Sequence, residues 1–307
     1  LPVRHWLFPG NTVDVTTVQK VKEDLRGWKL GRCVFVGDAG MVSAQNLRKL
    51  SLGGGKDIVC MPVAPGNEVA KHVMTRAGCY RVAADNLRVK EVFVGDGERR
   101  RRYVVCHNPE EETRQRKHRA MLLRELEAEL ESLGDLDRSA YSKRVFQLVA
   151  SARYGRYLRR TKTGKLRLDR KAVRMAEKND GKFVVHSNDD TLTAEDLALG
   201  YKQLMRVEQA WRQLKSGLKM RPVFHWVPHR IHAHVFLTVL ALLLERVAEQ
   251  ACGDTWRNIR DDLKQIKLAQ LSGPNGTVWQ VTEPQNGARN RLKSLGIHNL
   301  PTVLEHA

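Results

Sequence analysis

The sequence predicts a mixed α/β protein. One observation is a short apolar run at residues 33–36, followed by Gly37, Asp38, Ala39 and Gly40, a helical pattern over 43–50 and a second apolar run over 58–63. An unbroken apolar run bounded by turn residues marks a strand buried on both faces, and strand–helix–strand alternation builds an α/β sheet. Another is a set of further strand patterns over 80–84, 87–94 and 101–106, the last two joined by Gly95, Asp96 and Gly97. The third is helical spacing in three long stretches, 110–133, 191–217 and 228–250.

Taken in order, residues 2–8 alternate loosely and read as a strand that ends at Pro9, Gly10 and Asn11. Asp14 or Thr16 caps a helix over 17–28, whose apolar positions are Val18, Val21 and Leu25. Asp14, although acidic, reads as a turn or cap residue. Asp38 stands at the carboxyl end of the 33–36 strand, where open α/β sheets hold ligands. A turn Asp with no ligand has the same local sequence. Gly53, Gly54, Gly55 and Lys56 lack the earlier Gly and the following Ser/Thr of a phosphate-cradling loop, so 51–56 reads as a plain loop.

The composition changes over 64–190. This stretch reads as an insertion of strands and helices, with a charged helix over 110–133 and a strand over 182–186. Basic clusters lie at 99–102, 153–165 and 167–174, with Tyr154 and Tyr157 interleaved among arginines. Such clusters suit phosphate contacts, and the tyrosines can stack on unpaired bases. Solvated charge on an exposed insert is the plainer alternative.

Thr191 or Thr193 caps the next helix, with Glu195 and Asp196 in its first turn. Its apolar stripe is Leu197, Leu204, Val207, Trp211, Leu214 and Leu218, and it should run to about 217 before Arg221-Pro222 breaks it. Tyr201, Glu208 and Lys215 recur every seven residues, nearly two turns of a helix with about 3.6 residues per turn, so they form one row. A phenol, a carboxylate and an ammonium in a row can hold a metal ion beside a phosphate. The same spacing also serves a solvated face on which Glu208 pairs with Arg212.

The 228–250 helix is apolar from 235 to 244 and should sit in the core; that run is shorter than the roughly 20 residues a membrane span needs. His225, His229, His232 and His234 crowd its start, but Pro228 interrupts the face and no acid or Cys accompanies them. Packing and hydrogen bonding fit these histidines better than zinc. A basic helix over 255–270, a strand over 277–281 and a helix over 288–295 complete the pattern.

A chain of 307 residues with a net charge of +19 favours polyanionic partners. Its 5 cysteines are scattered with no C-x-x-C pair, and no secretory signal pattern is present. We therefore expect a reduced, cytoplasmic protein with no membrane partner.

The stretch 201–215, YKQLMRVEQAWRQLK, resembles the signature helix of bacterial insertion-sequence transposases of the DDE class. Their pattern is Tyr, two residues, Arg, three residues, Glu, six residues, Lys. Tyr201, Glu208 and Lys215 match in register; Leu204 stands at the Arg position, with Arg206 close by. The tail 215–234, KSGLKMRPVFHWVPHRIHAH, is similar to one branch of the family. Residues 32–47, RCVFVGDAGMVSAQNL, resemble the strand that ends in the second catalytic Asp, which makes Asp38 the match, and 1–14 resemble the strand and turn just upstream.

The resemblance covers nearly the whole chain. It implies an RNase H-like core whose three carboxylates hold two divalent ions, Mg2+ by expectation with Mn2+ able to substitute, about 4 Å apart. Asp38 and Glu208 would be two of the three. Lys215 would meet a phosphate at the transposon end, Tyr201 would support the same end, and Arg206 and Arg212 would join the DNA contacts. The implied partners are terminal inverted repeats, target DNA and a second copy in a synaptic homodimer, in the bacterial cytoplasm at the nucleoid.

In that family the first Asp lies on the first core strand, ahead of the region that 1–14 resembles. The resemblance therefore implies a core lacking its first two strands and a chain nearly inactive unless an upstream fragment completes it. The expected parts are 1–63 and 191–252 of the core, the insertion 64–190 and a tail 253–307. The function is then a transposase catalytic region that hydrolyses phosphodiesters and transfers strands, or else a catalytically silent DNA-binding or subunit-pairing fragment. A related RNase H-like nuclease would cleave without strand transfer.

Overall fold

The computed structural model describes residues 1–28, 33–273 and 276–304. The chain divides into two compact units, Asn11–Leu204 and a second made of Leu1–Gly10 with Met205–Ala307.

The first unit begins with α1 (Asp14–Leu25), β1 (Val34–Gly37), α2 (Ala44–Ser51) and β2 (Lys56–Met61). β1 and β2 run parallel, with Val34 opposite Lys56 and Gly37 opposite Val59. Ser43 caps α2 by accepting from the Asn46 N–H at 3.0 Å. The Asn46 amide in turn donates to the Val15 and Met41 carbonyls, tying α1 to the loop that follows Asp38. Lys22 of α1 donates to the Leu50 and Leu52 carbonyls at 2.9 and 3.0 Å, satisfying orphan acceptors at the end of α2.

β3 (Arg81–Ala84), β4 (Leu87–Val94) and β5 (Arg101–His107) follow as antiparallel neighbours. The chain then builds a helical outgrowth of α3 (Pro109–Ser132), α4 (Arg138–Ala150), the hairpin β6 (Leu158–Arg160) and β7 (Leu166–Leu168), and α5 (Arg170–Asn179). It returns as β8 (Lys182–Ser187), which inserts between β2 and β5 to give the order β1-β2-β8-β5-β4-β3. The inserted segment is thus woven into one six-stranded sheet. α6 (Ala194–Lys202) packs on that sheet, placing Leu197 and Ala198 against Ile58, Val89, Val104, Cys106 and Val185. Thr193 caps α6 in a capping box with Asp196, as its sequence predicts.

The outgrowth has its own core of Leu122, Leu126, Leu133, Val145, Leu148 and Tyr157. Arg119 and Asp180 anchor it beside the sheet by a bidentate pair at 2.5 and 2.6 Å, both side chains buried.

The second unit contains α7 (Leu204–Arg212, beginning one residue before the boundary), α8 (Pro228–Cys252), α9 (Trp256–Leu263), β9 (Leu268–Gly273), β10 (Gly276–Val281), α10 (Asn286–Ser294) and β11 (Val303–Leu304). Arg291 of α10 ties α9 to the preceding turn through Asp262 at 2.9 Å and Asp254 at 2.5 Å. The described residues differ from the sequence expectation at several places. Residues 2–8 form no strand. The 255–270 segment is helical only to Leu263, because Leu268–Gly273 pairs antiparallel with β10 instead. α8 buries only a narrow stripe, Thr238, Leu242, Glu245 and Ala248, while Leu237 and Leu244 are 61% and 62% exposed. By length and composition α8 is also apolar enough to cross a membrane, with a mean hydropathy of 1.6 over an 18-residue window, a longer apolar stretch than the 235–244 run alone. Within this unit Glu245 accepts from Gln213, and Arg246 pairs with Glu249.

Two stability predictions follow from the sheet and its anchor. Asp57 on β2 is 1% exposed, its Oδ1 has no hydrogen-bond partner among the described residues, and burial pushes its carboxyl up to about 6 despite neighbouring Lys56. The fold therefore favours the protonated form, and stability falls as pH rises from about 4 through 6. Asp57→Asn should raise the thermal midpoint at pH 8 by the equivalent of about 3 kcal/mol and change it little at pH 4, read by calorimetry at both pH values. Asp180→Ala leaves Arg119 buried and unpaired and should destabilise the unit by about 3–5 kcal/mol in urea titration; the double change to leucines should recover most of that.

Candidate functional site

Parallel pairing brings the carboxyl ends of β1 and β2 to one edge of the first unit. Asp38 follows β1 there as the cap of a single 3-10 turn, its Oδ1 accepting from the Gly40 N–H at 3.0 Å. Gly40 sits between two carboxylates. A Cβ on it would lie 3.4 Å from Asp38 Oδ1 and 3.7 Å from Asp14 Oδ2. Asp14 is the first residue of α1 and its backbone carbonyl accepts from Thr17 Oγ1, so the helix starts three residues ahead of the expected 17 and Asp14 lies within its first turn rather than capping it. Its closeness to Asp38 had no sequence signal, because it depends on how Asn46 ties α1 to the Met41 carbonyl.

Cys60 lies one residue beyond the Gly37–Val59 pairing, level with Asp38. Burial pushes its thiol up; the Tyr201 hydroxyl opposes this by hydrogen bonding, and the Asp38 charge adds to it. Asp38, Cys60 and Tyr201 thus share one neighbourhood. Tyr201 is half-buried with its ring 5.4 Å from Phe183. It arrives there because α6 lies very close to the sheet. A Cβ on Gly200 would come within 3.1 Å of Ile58 Cδ1, so a bare backbone at this position sets the approach.

The expected continuous signature helix is interrupted twice. α6 ends at Gln203, whose N–H bonds the Gly200 and Tyr201 carbonyls, and α7 restarts at Leu204. A π-turn then covers Gln213–Gly217, adding a residue to the last turn. Tyr201, Glu208 and Lys215 therefore stand on three consecutive segments. Tyr201 belongs to the first unit; Arg206, Glu208, Arg212 and Lys215 belong to the second. Within that unit all four are exposed, and no ion pair joins Glu208 to Arg212 among the described residues. Val207 and Trp211, expected on a buried stripe, are both 49% exposed, whereas Leu214 is buried against Met220 and Leu242.

Of the four histidines, His225 and His234 meet with ring centroids 5.5 Å apart, and the His234 ring also lies 3.3 Å from the Met220 carbonyl. Among the described residues no trio of His, Cys, Asp or Glu gathers as a metal cluster. Carboxylate oxygens, such as those Asp38 and Glu208 carry, suit hard divalent ions like Mg2+ or Mn2+.

Gly200→Val should force α6 off the sheet. We expect a loss of about 1–3 kcal/mol in urea titration, together with a change in tyrosine emission as Tyr201 leaves Phe183.

A family model described as a transposase DDE domain matches residues 2–244. Comparison with curated proteins and with solved structures gave no match.

Proposed function

The chain belongs to the transposase DDE domain family, and from that premise we propose that it binds transposon-end DNA and carries out metal-dependent phosphodiester hydrolysis and strand transfer. The family works on DNA and generally uses divalent metal ions, and its fold is the RNase H-like mixed α+β arrangement. The observation that carries the finer reading is the position of Asp38 at the carboxyl end of a parallel strand pair, beside Tyr201, in a chain whose matched region also contains Glu208 and Lys215.

In this reading Asp38 and Glu208 are metal-binding carboxylates. A bound divalent pair supplies Lewis-acid activation of the scissile phosphate. The protein's own groups do the rest. Lys215 meets a phosphate of the transposon end as a point charge, and Arg206 and Arg212 extend that contact along the backbone. Tyr201, held by Phe183 and by Cys60, presents its exposed edge to the same DNA end. A second copy of the chain completes the synaptic complex.

A second reading is favoured by one observation. β1, the strand that Asp38 follows, is paired on one side only among the described residues. An open edge beside a catalytic carboxylate can receive a further strand. On this reading the polypeptide alone binds DNA or pairs with another subunit without cutting.

Cleavage of a labelled duplex with Mg2+ or Mn2+ distinguishes the two. Under the first reading Asp38→Asn and Glu208→Gln each lower the rate more than about a hundredfold and leave duplex affinity nearly unchanged. Under the second the unaltered chain binds without metal-dependent cleavage, and Glu208→Gln changes nothing.

A further inference from the structure

The β6–β7 hairpin and α5 gather positive charge in arrangements that oppose folding. Arg159 and Arg167 stand directly opposite each other across the hairpin. Leu158, Leu166 and Leu168 take the core side, so the two arginines share the outer face. Cβ atoms of such a pair lie about 5 Å apart, and like charges there are destabilising. On α5, Arg170, Arg174 and Lys178 follow at four-residue intervals, each step rising about 6 Å along one helix row. Like charges at that spacing also repel. Arg170 further loads the positive end of the helix, opposed there by the cap Asp169, which accepts from the Lys171 and Ala172 N–H groups.

Neighbouring arginines of the same outgrowth are neutralised. Arg119 pairs with Asp180, Arg144 with Glu129 and Arg153 with Glu125. Among the described residues Arg159, Arg167, Arg170 and Arg174 have no such partner, and all four are exposed. They line one side of a groove of about 840 Å³, with Glu127 and Glu131 of α3 on the other.

We propose that this outer face is a docking surface for the phosphate backbone of duplex DNA, read without base contacts. The choice of DNA rests on the transposase reading; the surface itself rests on the unneutralised charge. A single small anion would engage two or three of these groups. A helix row with a regular rise, continued onto a cross-strand pair, fits a ligand with repeating negative charge. Bound phosphates would also relieve the repulsion within the hairpin and within α5.

The test is fluorescence anisotropy of the whole chain on a duplex of arbitrary sequence across a salt series. Each phosphate contact contributes about 0.9 to the slope of log affinity against log salt. The combined variant Arg159→Ala, Arg167→Ala, Arg170→Ala, Arg174→Ala should lower that slope by about 3 to 4, while Arg153→Ala, whose arginine is already paired, leaves it unchanged. Without DNA at low salt the combined variant should melt no lower than the parent. Independently, DNA should shield Lys165 and Lys171 of the unaltered protein from amine acetylation and leave Lys20 on α1 reactive. An unchanged slope, or unshielded Lys165 and Lys171 in a chain that binds DNA, overturns this surface alone. Failure of the unaltered chain to bind duplex overturns the transposase reading and this surface together. Tighter retention on phosphatidylserine vesicles than on DNA overturns the choice of ligand.

Discussion

The first unit depends on how closely α6 lies on the six-stranded sheet. Gly200 permits that approach, since a Cβ there would meet Ile58 at 3.1 Å. The next residue, Tyr201, is carried onto Phe183 and Cys60, at the strand ends where Asp38 sits. The start of α6 is fixed with equal care. Ser187 Oγ donates to the Asp57 carbonyl, Asn188 accepts from the Asp57 N–H and donates to the Gly55 carbonyl, and Arg102 donates to the Asp189 carbonyl. This network joins the end of β8 to the start of β2, so the helix leaves the sheet at a defined point. The buried carboxyl of Asp57 sits in the middle of it, unfavourable when charged and surrounded by backbone that needs its place in the strand.

Charge is used in two distinct ways. Where arginines hold the fold together they are matched: Arg119 with Asp180, Arg102 with Glu91 and with a backbone carbonyl. Where they cover the hairpin and α5 they fall side by side, Arg159 opposite Arg167 and Arg170 four residues before Arg174. A net charge of +19 is therefore not spread evenly as a solubilising coat. The matched arginines support the scaffold, and the unmatched ones leave a face that attracts anions.

Much of this was legible in the sequence. The 33–36 run, the 58–63 run and the 87–94 and 101–106 hairpin became strands close to their predicted bounds, because each is an apolar or alternating run ended by Gly, Asp or Pro. Of the two caps the sequence offered, Thr191 and Thr193, the structure uses Thr193. What could not be read depended on distant partners. The central place of β8 is set by pairing with strands about 80 and 125 residues earlier, which no local pattern encodes. α4, the β6–β7 hairpin and α5 were hidden because their charged residues mask a weak apolar period whose core forms only when the outgrowth closes. The stretch carrying Tyr201, Glu208 and Lys215 reads as one unbroken helix, whereas the structure divides it at Gln203 and again at the π-turn from Gln213, because a constant period carries no signal for such interruptions. Asp38 and Tyr201 were identified from motif resemblance, and the structure adds their shared neighbour Cys60; Asp14 became a neighbour of Asp38 only through folding.

The central proposal is that Asp38 and Glu208 are both metal-binding residues. Replacing the native ion with Fe2+ in the DNA complex and adding peroxide generates radicals that cut the chain next to the bound metal. The account predicts two clusters of cuts, one around residue 38 and one around residue 208, both suppressed together by excess Mg2+. Cuts near only one of them, or near neither, would contradict it.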